Sequence, residues 1–385
     1  MFATSDRRAI AYGGGLRVAG LALALTLALA GCAGSSKKPQ PKELAPVTAL
    51  LGTQLAWTAQ LGPSDTSLTP IAVAGRVFAA SSAGTVVALD AASGRDVWRL
   101  NLGDRIATGV GSDGELAAVV TLDNQLVAIA NGAERWRVRL PAGSYTPPLV
   151  AGKRVFLMTA DRAVSAFDGQ TGARLWNQTR TGDPLVLRQN GVLTAVGDTL
   201  VAGISGRLTG LNPLSGSVQW EAPIATARGT NEIERLVDLV GPVSREGNSV
   251  CARAYTAAVG CVDASRGLVL WTRAAQGLTG VHGDDKLVFG AESDGTVKAW
   301  QRDSGEQAWT VDRLQYRELT GPLAVGRVVV IGDGAGLVHL LSREDGSEMT
   351  RLSTDGSPVI SAPILAGNAV LVQTQKGGLF AWRPQ

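Results

Sequence analysis

A tryptophan that returns about every 40 residues, short β-branched runs split by glycine turns, and an outer strand left without a blade near the N-terminus predict an all-β fold. The expected architecture is an eight-bladed β-propeller of four-stranded antiparallel blades, with an N-terminal outer strand closing the ring in the last blade. Trp57, Trp98, Trp136, Trp176, Trp220, Trp271 and Trp309 lie 41, 38, 40, 44, 51 and 38 residues apart. Helical repeats of that period would need long stretches of 3.6 periodicity and few glycines, whereas this chain carries 48 glycines.

One unit shows the pattern. Pro70-Ile71-Ala72-Val73 reads as a first strand, turned at Gly75. Arg76 to Ala80 is the second strand and Thr85 to Asp90 the third, with Ser82-Ala83-Gly84 between them. Ala91-Ala92-Ser93-Gly94 turns into an outer strand from Asp96 to Leu100. The unit restarts at Pro148-Leu149-Val150-Ala151-Gly152, at Pro322-Leu323-Ala324-Val325-Gly326 and at Pro363-Ile364-Leu365-Ala366-Gly367.

The third turn carries the most specific signature, Ala-x-Asp-x-x-x-Gly-x-x-x-Trp, as Ala88, Asp90, Gly94, Trp98 and as Ala166, Asp168, Gly172, Trp176. Variants are Gly210, Asn212, Gly216, Trp220, then Cys261, Asp263, Gly267, Trp271, and Ala299, Gln301, Gly305, Trp309. The second copy is two residues shorter (Ala128, Asn131, Gly132, Trp136), and the seventh ends in Thr350 where the others have Trp. Small residues suit the crowded third strand. Asp or Asn accepts backbone N–H groups across the turn, Gly takes positive φ, and Trp lays an apolar plate between blades. Seven complete units run from Pro70 to about Asp355. Ile360 to Trp382 supplies three more strands, and Thr53 to Ala59 supplies their missing fourth. Joined, they remove the sheet edge that an open array would expose.

Residues 1–31 read as a secretory leader. Arg7, Arg8 and Arg17 precede an apolar run from Val18 to Ala30 that is short for a bilayer span. The run ends in Leu29-Ala30-Gly31-Cys32, which resembles the bacterial lipobox, so Cys32 is the expected lipidation site. Ala33 follows instead of the Asp that would resemble an inner-membrane retention signal, which points to an outer-membrane anchor. Arg7-Arg8 lacks the remainder of a twin-arginine motif. Residues 32–50, with Ser35-Ser36-Lys37-Lys38-Pro39-Gln40-Pro41, have the composition of a flexible tether, and 51–385 form the propeller.

The formal charge is +3, and removing a leader with three arginines and one aspartate leaves +1, which makes no electrostatic case for nucleic acid. Export places Cys251 and Cys261 in an oxidising compartment, on either side of a hairpin turn at Tyr255-Thr256-Ala257, and a disulfide between them is expected. His282 and His339 are the only histidines, far apart and without metal-ligand spacing, and read as surface or turn residues. Asp90, Asp168 and Asp263 repeat at equivalent turns, which argues structural duty, and no nucleophile–base pair stands out.

The tryptophan signature resembles the repeat of pyrroloquinoline-quinone dehydrogenases, which are also eight-bladed. That likeness would imply a calcium held by carboxylates, a Trp floor under the quinone and commonly an adjacent cysteine pair. No two cysteines are adjacent here and the blades are minimal, so the signature reports fold rather than cofactor. No cofactor and no enzymatic activity are expected.

Lipobox, tether, eight short blades and Trp turns together resemble a second family, the outer-membrane protein assembly factor BamB, a lipoprotein propeller of the β-barrel assembly machinery. Asp183-Pro184-Leu185-Val186-Leu187-Arg188 is similar to that family's Leu-x-Leu-Arg segment. Asn231 to Asp238 is similar to its Glu-Ile-Asp-Arg-Leu-x-Asp segment. The resemblance implies that these loops contact a periplasmic POTRA domain of BamA, through Leu185, Leu187, Arg188 and Asp238. Val240 stands where the family commonly has a second acid, which puts one ion pair of that contact in doubt. The widest Trp spacing also falls here, at the interruption from Pro223 to Leu236, and insertions in repeat arrays tend to mark binding faces. The implied role is a scaffold, lipid-anchored to the outer membrane and facing the periplasm. Its partners would be BamA, other subunits of the complex, and unfolded outer membrane proteins that pair with exposed blade edges. A propeller lipoprotein with another envelope partner is the alternative.

Overall fold

A computed structural model describes residues 1–2, 39–64, 68–180, 185–227, 230 and 236–385; Cys32 lies outside them. The chain divides into Met1–Gln40 and Pro41–Gln385, and all described strands belong to the second unit. Those strands form eight four-stranded antiparallel sheets. Seven sheets follow chain order, over residues 71–101, 111–139, 149–178, 193–223, 239–274, 282–311 and 323–353 (blades 1 to 7). In the eighth, three strands within 364–384 are completed by Thr53–Gln60, which pairs antiparallel with Gly378–Pro384 from Thr53 opposite Pro384 to Gln60 opposite Gly378.

First strands lie innermost, and those of blades 1 to 3 and 5 to 8 pack against the first strand of at least one neighbouring blade. Crowding there explains why two of them shrink to Gly111–Ser112 and His282–Gly283. A Cβ on Gly111 would strike the Pro148 carbonyl of the next blade, and one on Gly283 the Leu287 carbonyl. Second and third strands are apolar on both faces, as in Arg76–Ala80 and Thr85–Asp90, because each is covered by a blade on either side.

The core is therefore a series of inter-blade clusters. One joins Val77, Val87 and Leu89 of blade 1 to Leu371, Leu379 and Ala381 of blade 8, so the array closes on itself. Equivalent clusters join blades 1 and 2 through Phe78 and Ile129, and blades 4 and 5 through Leu208 and Val250.

The tryptophans are the spacers of this core. The ring of Trp57 faces Gly94 in the third turn of blade 1, that of Trp136 faces Gly172, and that of Trp271 faces Gly305. Indole N–H groups then donate to carbonyls of the next blade, as from Trp57 to Ala91 (3.1 Å), Trp136 to Gly169 (2.9 Å) and Trp309 to Arg343 (2.9 Å). Burying about 200 Å² of such a side chain is worth on the order of 5 kcal/mol as an upper bound. A bulge aims each plate. Ala88 opposes Trp98 but Leu89 opposes Asp96, so Val97 is extra and its side chain is 47% exposed. The carboxylate of Asp90 accepts the Ser93 N–H at 2.8 Å and that of Asp168 the Thr171 N–H at 2.8 Å, so the repeated acids hold turns.

Thr350 lacks the tryptophan for a geometric reason. A plate there would meet the third turn of blade 8, and no turn joins those strands, because Gly378–Pro384 and Thr53–Gln60 are not consecutive in the chain; Gln385 N–H instead donates to Gly52 O at 3.0 Å. The Thr350 hydroxyl instead bonds the backbone of Leu51.

Candidate functional site

Antiparallel strand order puts two kinds of connection on one face of the ring: the turn between second and third strands, and the link from an outer strand to the next blade. Tyr145, Arg162, Leu185, Arg188, Ser205 and Asp238 all sit in such connections, around blades 3 to 5. They gather on this loop face although they span 94 residues of chain.

Arg162 organises the site. It occupies the tight turn after the second strand of blade 3, with φ +62°, where the equivalent turns of other blades carry Gly84, Asn124, Gly295, Gly336 and Gly377. An unglycinated left-handed residue costs about 1 kcal/mol, so something holds it there. Its side chain is 9% exposed. It donates to Ser205 Oγ at 2.8 Å, to the Leu185 carbonyl at 3.0 Å and to Asp238 Oδ1 at 3.1 Å. The second Asp238 oxygen accepts the Leu187 N–H at 2.9 Å. Both oxygens of Asp238 are thus engaged within the molecule, and Asp238 braces the loop that carries Leu185, Leu187 and Arg188.

That loop is fixed at its other end as well. Asn190 Nδ2 reaches Thr69 Oγ1, just ahead of blade 1, at 2.8 Å, and the Gly191 N–H donates to Thr146 Oγ1 at 3.1 Å. Leu185 is 37% exposed, Arg188 is exposed, and Leu187 is half-buried over a cavity of about 50 Å³ that Met158, Ile204 and Val240 also line. The Arg188 guanidinium lies 5.6 Å from the Tyr145 ring centroid, a cation–π contact that orients the charge without neutralising it. The cavity holds a few waters at most, whereas organic ligands occupy about 300 Å³ or more. Val240 is buried in the first strand of blade 5, opposite Arg253, so the position of the missing acid belongs to the core. Asp183, Pro184 and residues 231–235 of the two family-like segments lie outside the described residues.

Cys251 and Cys261 pair directly across adjacent strands of blade 5, with Cα atoms 3.9 Å apart, and are joined as a disulfide, both fully buried. Thr256 turns the hairpin between them at φ +50°.

The histidines correct the surface-or-turn reading. His282 is half-buried, and its Nδ1 accepts the Ala324 N–H at 3.1 Å; burial pushes its pKa down. His339 is fully buried in the third strand of blade 7, between Asp333 (Nε2 to Oδ2, 3.1 Å) and Glu348 (Nδ1 to Oε1, 2.9 Å). Burial opposes its charge, but the two carboxylates prevail and raise its pKa. In turn, burial works against ionising Glu348, yet His339 and Arg351 bring its carboxyl down to about 2.

Comparison with known proteins separates the two resemblances. A family model described as "Outer membrane protein assembly factor BamB" matches residues 82–311 and 294–383. The chain belongs to the BamB family. The outer membrane protein assembly factor BamB of Burkholderia pseudomallei is 37% identical across 94% of this chain and 96% of its own length. That of Bordetella pertussis is 34% identical across 93% and 94%. The crystal structure of BamB from Moraxella catarrhalis superposes with a TM-score of 0.79 at 26% identity, over 86% of this chain and all of that one. A quinohemoprotein alcohol dehydrogenase from Pseudomonas putida HK5 superposes at 0.69 with 14% identity, a likeness of fold alone. The BamB relatives are named for assembly and not for catalysis, and the propeller shared with dehydrogenases carries only the blade packing.

Proposed function

We propose that the chain is a non-enzymatic scaffold lipoprotein of the outer-membrane β-barrel assembly complex, anchored to the outer membrane through Cys32 and facing the periplasm. The names of its relatives support a role in outer membrane protein assembly. The finer reading is that the loop face of blades 3 to 5 docks on a POTRA domain of BamA and so assists insertion of outer membrane proteins.

One observation carries it: an exposed Leu185–Arg188 pair on a loop braced at both ends. Arginine beside exposed apolar side chains is the composition of interface hot spots, and prior bracing reduces the ordering cost of binding. Leu185 and Arg188 are the direct contacts in this reading, whereas Leu187 and Asp238 position them. Export also favours an oxidised Cys251–Cys261 pair in the mature protein.

Arg188→Glu tests the reading. The variant should lose co-purification with BamA from detergent-solubilised membranes while keeping the wild-type melting temperature. Retained co-purification would remove Arg188 from the interface.

A further inference from the structure

Residues 42–51 lie along the outside of blade 7 as a strap. At the loop face, the Lys42 N–H donates to the Gln315 carbonyl at 3.0 Å, and Lys42 Nζ reaches Asp312 at 2.9 Å. Leu44 packs on the cluster between blades 6 and 7, and Leu51 on that between blades 7 and 8. Toward the opposite face, the Leu50 N–H donates to the Met349 carbonyl at 2.8 Å, and Thr350 bonds Leu51. The strap therefore crosses the whole height of the blade before entering the closing strand at Thr53.

Two arginines hold its loop-face half. Arg317 Nη1 donates to Lys42 O and Arg351 Nη2 to Ala45 O, each at 3.2 Å. Both guanidiniums are fixed from behind by the buried trio around His339: Arg317 Nε binds Asp333 at 2.7 Å, and Arg351 binds Glu348 at 3.0 and 2.7 Å. Buried acids inside a blade need a reason: the equivalent turn position of Asp333 carries Ser81, Thr121, Thr159 and Thr374 in four other blades, and Glu292 of blade 6, an acid at that position, pairs with the buried Arg253. Presenting two oriented guanidiniums to backbone carbonyls of the strap supplies one.

We propose that the Asp333–His339–Glu348 cluster with Arg317 and Arg351 is a clasp for the strap, so that the membrane tether leaves the propeller only from the loop face beside blades 6 and 7. The partner so engaged is a lipid surface. From Cys32 to Lys42 the chain spans at most about 35 Å, against about 70 Å for a tether free from Thr53, because an extended residue covers no more than about 3.5 Å. The clasp thus shortens the reach and holds the loop face toward the bilayer, on the side of the ring away from Arg188. This inference rests on the Cys32 anchor of the preceding section.

The test uses the full lipidated chain on vesicles with energy-acceptor headgroups. A donor dye is placed at Ser293→Cys on the loop face or at Asp303→Cys in the opposite-face turn of the same blade. Flotation is scored first: a chain that fails to float sinks the anchor reading and the inference together. With flotation intact, stronger transfer from 293 than from 303 is expected, and equal transfer overturns the clasp alone. Replacing residues 41–50 with a Gly/Ser linker of the same length leaves the cluster intact and should abolish that difference. A linker variant that keeps it also overturns the proposal.

Discussion

Arg162 and Asp238 are 76 residues apart and meet at 3.1 Å on the loop face, one from a turn inside blade 3 and the other from the approach to blade 5. The pair spans blade 4 and ties down the loop that carries Arg188. Arg162→Gly isolates its purpose, because glycine is what four other blades use at this turn. The substitution relieves about 1 kcal/mol of backbone strain and gives up charge-assisted hydrogen bonds worth about 1.5–3 kcal/mol. Calorimetry should show a melting temperature lowered by only about 3 °C. Affinity for the BamA POTRA region, followed by titration, should fall by about tenfold or more as the loop loses its brace. A melting loss far larger than this, or unchanged affinity, would make Arg162 a fold residue only.

The repeated third-turn glycine has two separable duties. Gly172 stands at φ +74° with the Trp136 ring 2.8 Å from where a Cβ would be, whereas Gly247 stands at φ +56° with nothing near. Gly247→Ala should cost about 1–2 kcal/mol, the left-handed penalty alone. Gly172→Ala should cost about 1–3 kcal/mol more, since the plate must shift within a packed interface. Denaturant titration of the two variants measures the difference, and equal losses would show that the tryptophan plates do not constrain these turns.

How much could be read from the sequence follows from this repetition. Strand limits such as Arg76–Ala80 and Thr85–Asp90 were legible because each blade restates the same turn chemistry, and ring closure followed from the orphan strand at Thr53. Leu185 and Arg188 were singled out mainly through family likeness, because a connection outside the repeat has no internal standard. Arg162 did leave a trace, a long cationic side chain in a glycine turn, but its partner lies two blades away. His339 was misread because a polar residue in an apolar run suggests exposure. Leu337–Ser342 is in fact covered on both faces, and its acids sit six and nine residues away across two turns.

The His339 cluster makes stability depend on pH from both sides. Its folded pKa is raised above the ordinary 6.5, so its contribution is complete below about 6.5 and fades as pH rises through the folded value. Glu348 behaves oppositely: its contribution is present above its ordinary 4.5 and is lost as pH falls toward about 2. Asp333, Arg317 and Arg351 are the other charged groups facing the pair. Melting curves of wild type and His339→Gln should therefore differ most near pH 5–6 and converge at alkaline pH. A constant gap from pH 5 to 9 would mean the histidine contributes packing alone.

Closure by Thr53–Gln60 predicts how the molecule fails. Trp57 belongs to that fourth strand of blade 8 and is the plate against Gly94 of blade 1, and it is the one tryptophan of the 8–1 cluster among the described residues. Deleting residues 51–61 leaves an unpaired edge along Gly378–Pro384 and uncovers that cluster on one side. In an open array, each blade contacts only its neighbours, so the loss would fray terminal blades one at a time. In a closed ring, every blade has two neighbours, and opening one junction removes the constraint on all. The deletion should therefore abolish the single cooperative melting transition and bring early hydrogen exchange in blades 1 and 8. A truncated chain that melts sharply at the wild-type temperature would show that the ring does not depend on this strand.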